Sequence, residues 1–304
     1  MANQGIELFE EHRQLLFGIA YRMLGSAADA EDMVQETFLR WQKNESAEIK
    51  SAEAWLATVV TRLCINHLKS ARAQREEYVG VWLPEPIVAD YDAANPRENA
   101  EQAESLSIAF LVILETLSPT ERAVYLLKEV FGYAFDEVAR IVQKSESNCR
   151  QLLSRARHHI TERRPRFKSS ADQQRRLVEA FLKATNQGDI ESLMAVLSED
   201  VTLITDGGAG TRAPRRTIVG ADSVSRLLLQ RAPREAAAST VTRLVSLNGW
   251  PGFLAYRGRT PRAAVAFDID GERIRTIYLI ANPEKLAQLP GGARSKTNPS
   301  FDQN

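Results

Sequence analysis

Residues 118–157 constrain the fold more than any other stretch of this chain. They read SPTERAVYLLKEVFGYAFDEVARIVQKSESNCRQLLSRAR. Ser118 before Pro119, with Glu121 three positions on, is a helix start with a capping box. Val124, Leu127 and Val130 share one face, and Gly132 ends the helix. Phe135, Val138 and Val142 mark a second short amphipathic helix. Gln143-Lys144 leaves room only for a turn. Ser145 can then cap a third helix with an apolar stripe of Cys149, Leu152, Ala156 and Ile160. Two short helices across a tight turn make a helix-turn-helix pattern. Off the stripe lie Asn148, Arg150, Gln151, Ser154, Arg155 and Arg157, and Arg, Asn and Gln can pair with base edges in a major groove. The same pattern also suits a helical hairpin in a bundle with a solvated basic face. Charge favours DNA: residues 144–168 carry eight Lys/Arg against two acidic residues.

Net charge over 304 residues is zero, so charge segregation along the chain carries the information. The first helix, 5–24, carries Leu8, Leu15, Leu16, Ile19, Ala20 and Met23. On the next segment, 27–41, Val34, Phe38 and Trp41 form a helical stripe. Asp29, Asp32 and Glu36 line another face, extended by Glu31 and Gln35. Like charges so grouped suggest a basic partner, or a plain solvated face. Ser51 can cap a helix with a core stripe of Trp55, Leu56, Val59, Leu63 and Leu68. Arg62, Asn66, Lys69 and Arg72 run down its opposite side near Thr58 and Thr61, which suits a surface helix or one lying along nucleic acid.

Residues 76–105 hold eight acidic residues and one Arg, and Pro84, Pro86 and Pro96 forbid a continuous helix. They read as a linker. Trp82-Leu83-Pro84 is too apolar for a free linker and points to docking. A second linker lies near Ser169-Ser170. From Asp172 on, helices at 173–187, 189–197 and 221–230 and strands at 201–205, 240–247, 252–257, 263–269 and 273–281 give an α+β domain. The expected architecture is a bent antiparallel sheet with helices on one side. Asn282-Pro283 ends the last strand, and the tail after Leu289 reads as disordered. This half has no His and no Cys. Asp206 and Asp268 are its suggestively placed carboxylates, with Asp206 simplest as a turn residue before glycines. Cys64 and Cys149 read as core residues in a reducing compartment. No secretion signal or membrane span is expected, so the location is cytoplasmic.

DAEDMVQETFLRW at 29–41, AWLATVVTRLCINHLKSAR at 54–72 and LSPTERAVYLLKEVFGYAFDEVARIV at 117–142 resemble a bacterial sigma factor of the extracytoplasmic-function class. Residues 172–286 resemble a SnoaL-like domain. WLPEP at 82–86 and NPEKL at 282–286 resemble signatures of the subgroup that carries such an extension. A third signature, DGGGK, stands here as Asp206-Gly207-Gly208-Ala209-Gly210, without its Lys. The resemblance implies two all-α sigma domains and then an α+β cone. Region two would span 1–75, the acidic linker 76–105, region four 106–168, the SnoaL-like domain 172–286 and a tail 287–304.

The resemblance also implies roles. Asp29, Glu31, Asp32, Gln35 and Glu36 would dock on the clamp helices of core RNA polymerase. Thr58, Thr61, Arg62, Asn66, His67, Lys69 and Arg72 would melt and read the minus-ten element of promoter DNA. Ser147, Asn148, Arg150, Gln151, Ser154, Arg155 and Arg157 would read the minus-thirty-five element. Trp82, Leu83, Pro84, Glu85 and Pro86, with Asp206, Gly207 and Gly208 and with Asn282, Pro283, Glu284, Lys285 and Leu286, would form the interdomain regulatory contact. No cofactor, metal, catalytic residue or separate anti-sigma protein is expected. The residues themselves leave open a stand-alone helix-turn-helix regulator with a ligand-sensing domain, and a small-molecule pocket in the cone.

Overall fold

The computed structural model describes residues 2–43, 49, 51–75, 80–89, 105–161, 170–208, 214, 216–230 and 240–291. Three helices open the chain: α1 (Ala2–Leu24), α2 (Ala27–Gln42) and α3 (Ala52–Arg75). Ser26 caps α2 by accepting a hydrogen bond from the Asp29 amide at 3.1 Å. Leu8 is 36% exposed and does not join the core; Phe9 does. A two-residue strand β1 (Val88–Ala89) lies inside the segment read as linker. Then come α4 (Ile108–Leu114), α5 (Pro119–Tyr125), α6 (Phe135–Val142) and α7 (Glu146–Thr161). The Ser118–Glu121 capping box forms as expected. The helix it starts widens into a π turn at Leu126–Val130 before Gly132, at φ +73°, ends it. Gln143 makes the turn between α6 and α7 in the left-handed region, at φ +56°. Ser145 caps α7 through the Asn148 amide at 3.2 Å.

These helices share one core. Leu16, Leu24, Leu56 and Cys64 from the first three belong to the same buried cluster as Leu126, Val138, Cys149 and Ala156. The acidic-faced bundle and the helix-turn-helix unit are packed on each other, with α3 against α5 and α6. Burial raises the thiol pKa of both cysteines.

The C-terminal part is α8 (Ala171–Gln187), α9 (Ile190–Val196), β2 (Leu197–Asp206), β3 (Ile218–Val219), α10 (Ala221–Gln230), β4 (Thr240–Leu247), β5 (Trp250–Arg257), β6 (Thr260–Asp270), β7 (Arg273–Ile280) and α11 (Pro283–Leu286). Its sheet runs β1-β4-β5-β6-β7-β2-β3. The sheet is mixed, not antiparallel throughout: β2 and β7 pair in parallel. The whole meander separates these two strands in sequence, and that long connection permits a parallel neighbour. The β2 strand also begins at Leu197, which ends α9 one residue early. Residues 283–286, just after the last strand, form a helical turn capped by Asn282. The tail beyond Gly291 lies outside the described residues.

Alternation along the strands gives the sheet two different apolar faces. Leu203, Phe253, Val265 and Ile277 face α8 and α10 in one cluster. Leu254, Ala264, Ala266, Tyr278 and Ile280 face the other way, where Leu83, Ile108 and Ala109 cover them. The sheet therefore uses its outer face to hold the linker and α4.

Candidate functional site

The WLPEP segment sits where the three parts of the chain meet. Leu83 is fully buried on the outer sheet face. Its amide donates to Asp206 Oδ2 at 2.8 Å, and its carbonyl accepts from Lys285 Nζ. Lys285 Nζ also lies 2.7 Å from Asp206 Oδ2 and 4.2 Å from the Trp82 ring centroid. Asp206 is 0% exposed: its Oδ1 accepts from the Gly208 amide at 3.2 Å, as a residue opening the glycine turn would, and its Oδ2 meets the buried Lys285 and the linker amide, so it does more than shape the turn. The sequence lacks the Lys of the DGGGK-type signature; Lys285 from α11 supplies the charge that Asp206 meets. Gly208, at φ +63°, sits so close to Asn282 that a Cβ would lie 2.8 Å from its side chain. Buried Gly207 completes this loop. Of the NPEKL residues, Asn282, Lys285 and Leu286 are buried, whereas Pro283 and Glu284 face solvent and take no part in the docked surface.

The same segment grips the N-terminal helices. Glu85 accepts from the Ala27 amide at 2.7 Å, the Ala28 amide at 3.2 Å and Ser26 Oγ at 3.0 Å. A carboxylate there neutralises the positive end of α2. Trp82 lies over Gly25, where a Cβ would come within 2.5 Å of its ring, and Pro84 and Pro86 are buried beside it. Beyond the prolines, Val88–Ala89 adds as an edge strand to β4.

Sequence reasoning missed the hub of this assembly. Asn248, at φ +52° in the β4–β5 turn, carries only the local signature of an Asn-Gly hairpin turn. Its Oδ1 accepts from the Ile87 amide at 3.0 Å. Its Nδ2 donates to the Leu106 carbonyl at 3.0 Å and to Tyr21 Oη at 2.6 Å. Tyr21 in turn donates to the Glu85 carbonyl at 2.6 Å. Burial pushes the Tyr21 phenol pKa up. One side chain thus joins α1, the linker and the sheet, over sequence gaps that no local pattern reveals.

Arginines cross between the two helical parts. Arg122 on α5, 3% exposed, donates to the Met23 carbonyl at the end of α1 at 2.6 Å and meets Glu115 at 2.7 Å. Arg62 on α3 does the converse. Its Nε donates to the Ile141 carbonyl at 2.9 Å and its Nη2 to that of Arg140 at 2.7 Å, at the end of α6. Each arginine satisfies helix-terminal carbonyls of the other part. Tyr133 adds a hydrogen bond to Glu53 at 3.1 Å. Arg22 on α1 donates to Ser105 Oγ, and burial lowers its pKa to about 10.

The expected interface residues fall into two groups. On α7, Ser147, Asn148, Arg150, Gln151, Ser154, Arg155 and Arg157 are all exposed on one side of the unit. Arg150 lies 4.1 Å over the Phe135 ring, and Arg157 pairs with Glu129 at 2.8 Å. On α2, Glu31, Asp32 and Gln35 are exposed, while Asp29 and Glu36 are half-buried. Glu31 pairs with Arg13 at 2.6 Å and Glu36 with Arg40 at 2.8 Å. Of the described residues expected to act on α3, Asn66 and Lys69 are exposed; His67 is half-buried, 3.7 Å from Asp29. Thr58 bonds back to the Ala54 carbonyl. Thr61 is 0% exposed and does not belong to an accessible face. The buried stripe is wider than a one-sided helix would give, because α3 packs on α1 and α2 on one side and on α5 and α6 on the other. The Arg72 side chain lies outside the described residues.

Comparison with known proteins agrees with these features. Residues 8–74 match the family described as Sigma-70 region 2, and residues 107–160 match Sigma-70, region 4. The chain is 36% identical over 292 residues to the ECF RNA polymerase sigma factor SigJ of Mycobacterium tuberculosis, covering 93% of both chains. It is 33% identical to that organism's probable ECF RNA polymerase sigma factor SigI, covering 92% of this chain and 96% of the relative. The crystal structure of M. tuberculosis SigJ superposes with a TM-score of 0.74 at 33% identity, over 93% of this chain and 98% of that one. The shared helices, the C-terminal sheet domain and the near-complete coverage together place this chain in the family of extracytoplasmic-function RNA polymerase sigma factors.

Proposed function

We propose that the free protein is a closed sigma factor whose C-terminal domain holds it shut through the WLPEP segment. The observation that carries this reading is Arg62. It is expected to touch the minus-ten strand, yet two of its three donor nitrogens, Nε and Nη2, bind the end of α6. Promoter melting then requires α6 and α7 to leave α3. The linker clamp opposes that separation, because Leu83, Glu85 and Ile87 tie α2 and α4 to the outer sheet face. The exposed Asp32 and Gln35 suit a first encounter with the basic clamp helices of core polymerase, and opening on that scaffold follows. Tethering two DNA contacts on one enzyme raises the effective concentration of the second. This reading does not require that a separate anti-sigma protein be absent.

The exposed polar face of α7 is read as the part that recognises the minus-thirty-five element. In transcription with purified core polymerase, Arg150→Ala is expected to weaken promoters selectively, by about 1–3 kcal/mol at the sequence it reads. An equal loss on every promoter, with a reduced salt slope, would assign Arg150 to a phosphate.

A further inference from the structure

A cavity of about 320 Å³ lies on the inner face of the C-terminal sheet, beneath α8 and α10. That is room for about ten waters at ~30 Å³ each, which puts it at the small end of ligand pockets. Phe181, Leu203, Phe253, Val265 and Leu279 supply apolar walls, and exposed Asn186 and Thr240 lie at its rim. None of the described lining residues is charged or titratable near neutrality. The two carboxylates singled out in the sequence, Asp206 and Asp268, are both absent from this lining. The cavity is therefore suited to holding a neutral molecule. Thr185, Asn186, Thr205, Thr240 and Thr242 are the polar side chains among the described lining residues. Thr205 is 2% exposed, and its hydroxyl has no hydrogen-bond partner among the described residues. A buried hydroxyl without a partner is costly, and a ligand group can supply that partner. Thr185 offers no such opening, since its hydroxyl already bonds to the Phe181 and Leu182 carbonyls.

Position gives this site a consequence. Thr205 faces the cavity, and the next residue, Asp206, faces the other way and holds Leu83 of the clamp. Strands β5, β6 and β7 repeat the arrangement: Phe253, Val265 and Leu279 line the cavity, while Leu254, Ala264 and Ile280 carry the docked linker and α4. We propose that the cavity binds a small neutral apolar molecule with one hydrogen-bonding group, anchored on Thr205, and that occupancy tightens the grip of β2 on the WLPEP segment. Binding at Thr205 stands by itself; the effect on the clamp rests on the closed-sigma reading above. The two sites are coupled through one strand, so the coupling is reciprocal.

Equilibrium dialysis of the full chain with 1-naphthol and with naphthalene tests this. Both are expected to bind saturably, 1-naphthol more tightly. Ala263→Phe, which fills the cavity from β6, is expected to weaken both at least tenfold. Thr205→Val keeps the side-chain shape; it is expected to weaken 1-naphthol about tenfold and leave naphthalene unchanged. Lys285→Met, outside the cavity, is expected to weaken 1-naphthol at least threefold through the loosened clamp. Failure of both probes to bind, or binding indifferent to Ala263→Phe, overturns the site. Equal loss of both probes in Thr205→Val overturns the anchoring role. Equal 1-naphthol affinity in wild type and Lys285→Met overturns the coupling while the binding result stands.

Discussion

Lys285→Met is expected to release the C-terminal domain from the linker without unfolding either partner. The ammonium lies 2.7 Å from Asp206 Oδ2 and 4.2 Å from the Trp82 ring, and the two charged side chains are 7% and 0% exposed. Taking away one partner of such a pair costs about 3–5 kcal/mol, because the other charge stays buried and unpaired. The amides of Leu83 and Gly208 still reach Asp206, but neither is a full charge. Amide hydrogen exchange reads the result locally. The Leu83 amide, donating to Asp206, is expected to lose at least a hundredfold of its protection, as about 3 kcal/mol implies. Amides in the centre of β6 are expected to change far less. Adding Asp206→Asn to Lys285→Met removes the stranded charge and should restore part of the lost protection. If Leu83 exchanges at the same rate in Lys285→Met as in wild type, this ion pair does not hold the dock.

The helical half was legible because its signals are local. The capping box at Ser118, the stop at Gly132 and the caps at Ser26 and Ser145 each act within one turn of helix, and each forms. The exposure of the polar α7 residues was legible for the same reason: residues off an apolar stripe are exposed when the helix packs on one side only. Thr61 was expected on an accessible face and is buried here because α3 packs on two sides, which a single stripe does not encode. The WLPEP dock could be anticipated from a Trp-Leu pair among prolines in an acidic linker. Its partners could not. Asn248 and Tyr21 meet across 227 positions, and Lys285 reaches Leu83 across 202. The parallel β2–β7 pair and the two-residue strand β1 are also settled by distant segments. Asp206 resembled a turn residue because Gly207 and Gly208 follow it. Its burial comes from the linker that lies over it.

Arg122→Met and Arg62→Ala should separate closure from DNA reading, because the two arginines brace the same interface but only Arg62 is proposed to contact DNA as well. Arg122 is 3% exposed and touches the Met23 carbonyl and Glu115, so it has no route to promoter DNA. Its loss removes two charge-assisted hydrogen bonds. Such bonds contribute about 1.5–3 kcal/mol each, less here for the Glu115 bond because that carboxylate keeps 23% of its surface in water. The interface between α1 and α5 then weakens, and α3 is uncovered more often. With purified core polymerase, output from a cognate promoter is expected to rise severalfold in Arg122→Met, while circular dichroism shows the helices intact. Arg62→Ala loosens the same interface by removing the bonds to Ile141 and Arg140. If Arg62 also contacts the unpaired strand, output is expected to fall despite the looser closure. The two variants would then shift stability in the same direction and transcription in opposite directions. A fall in output for Arg122→Met with its helix content unchanged would mean that the packed arrangement is the one polymerase uses, and closure would no longer explain why Arg62 is bound to region four.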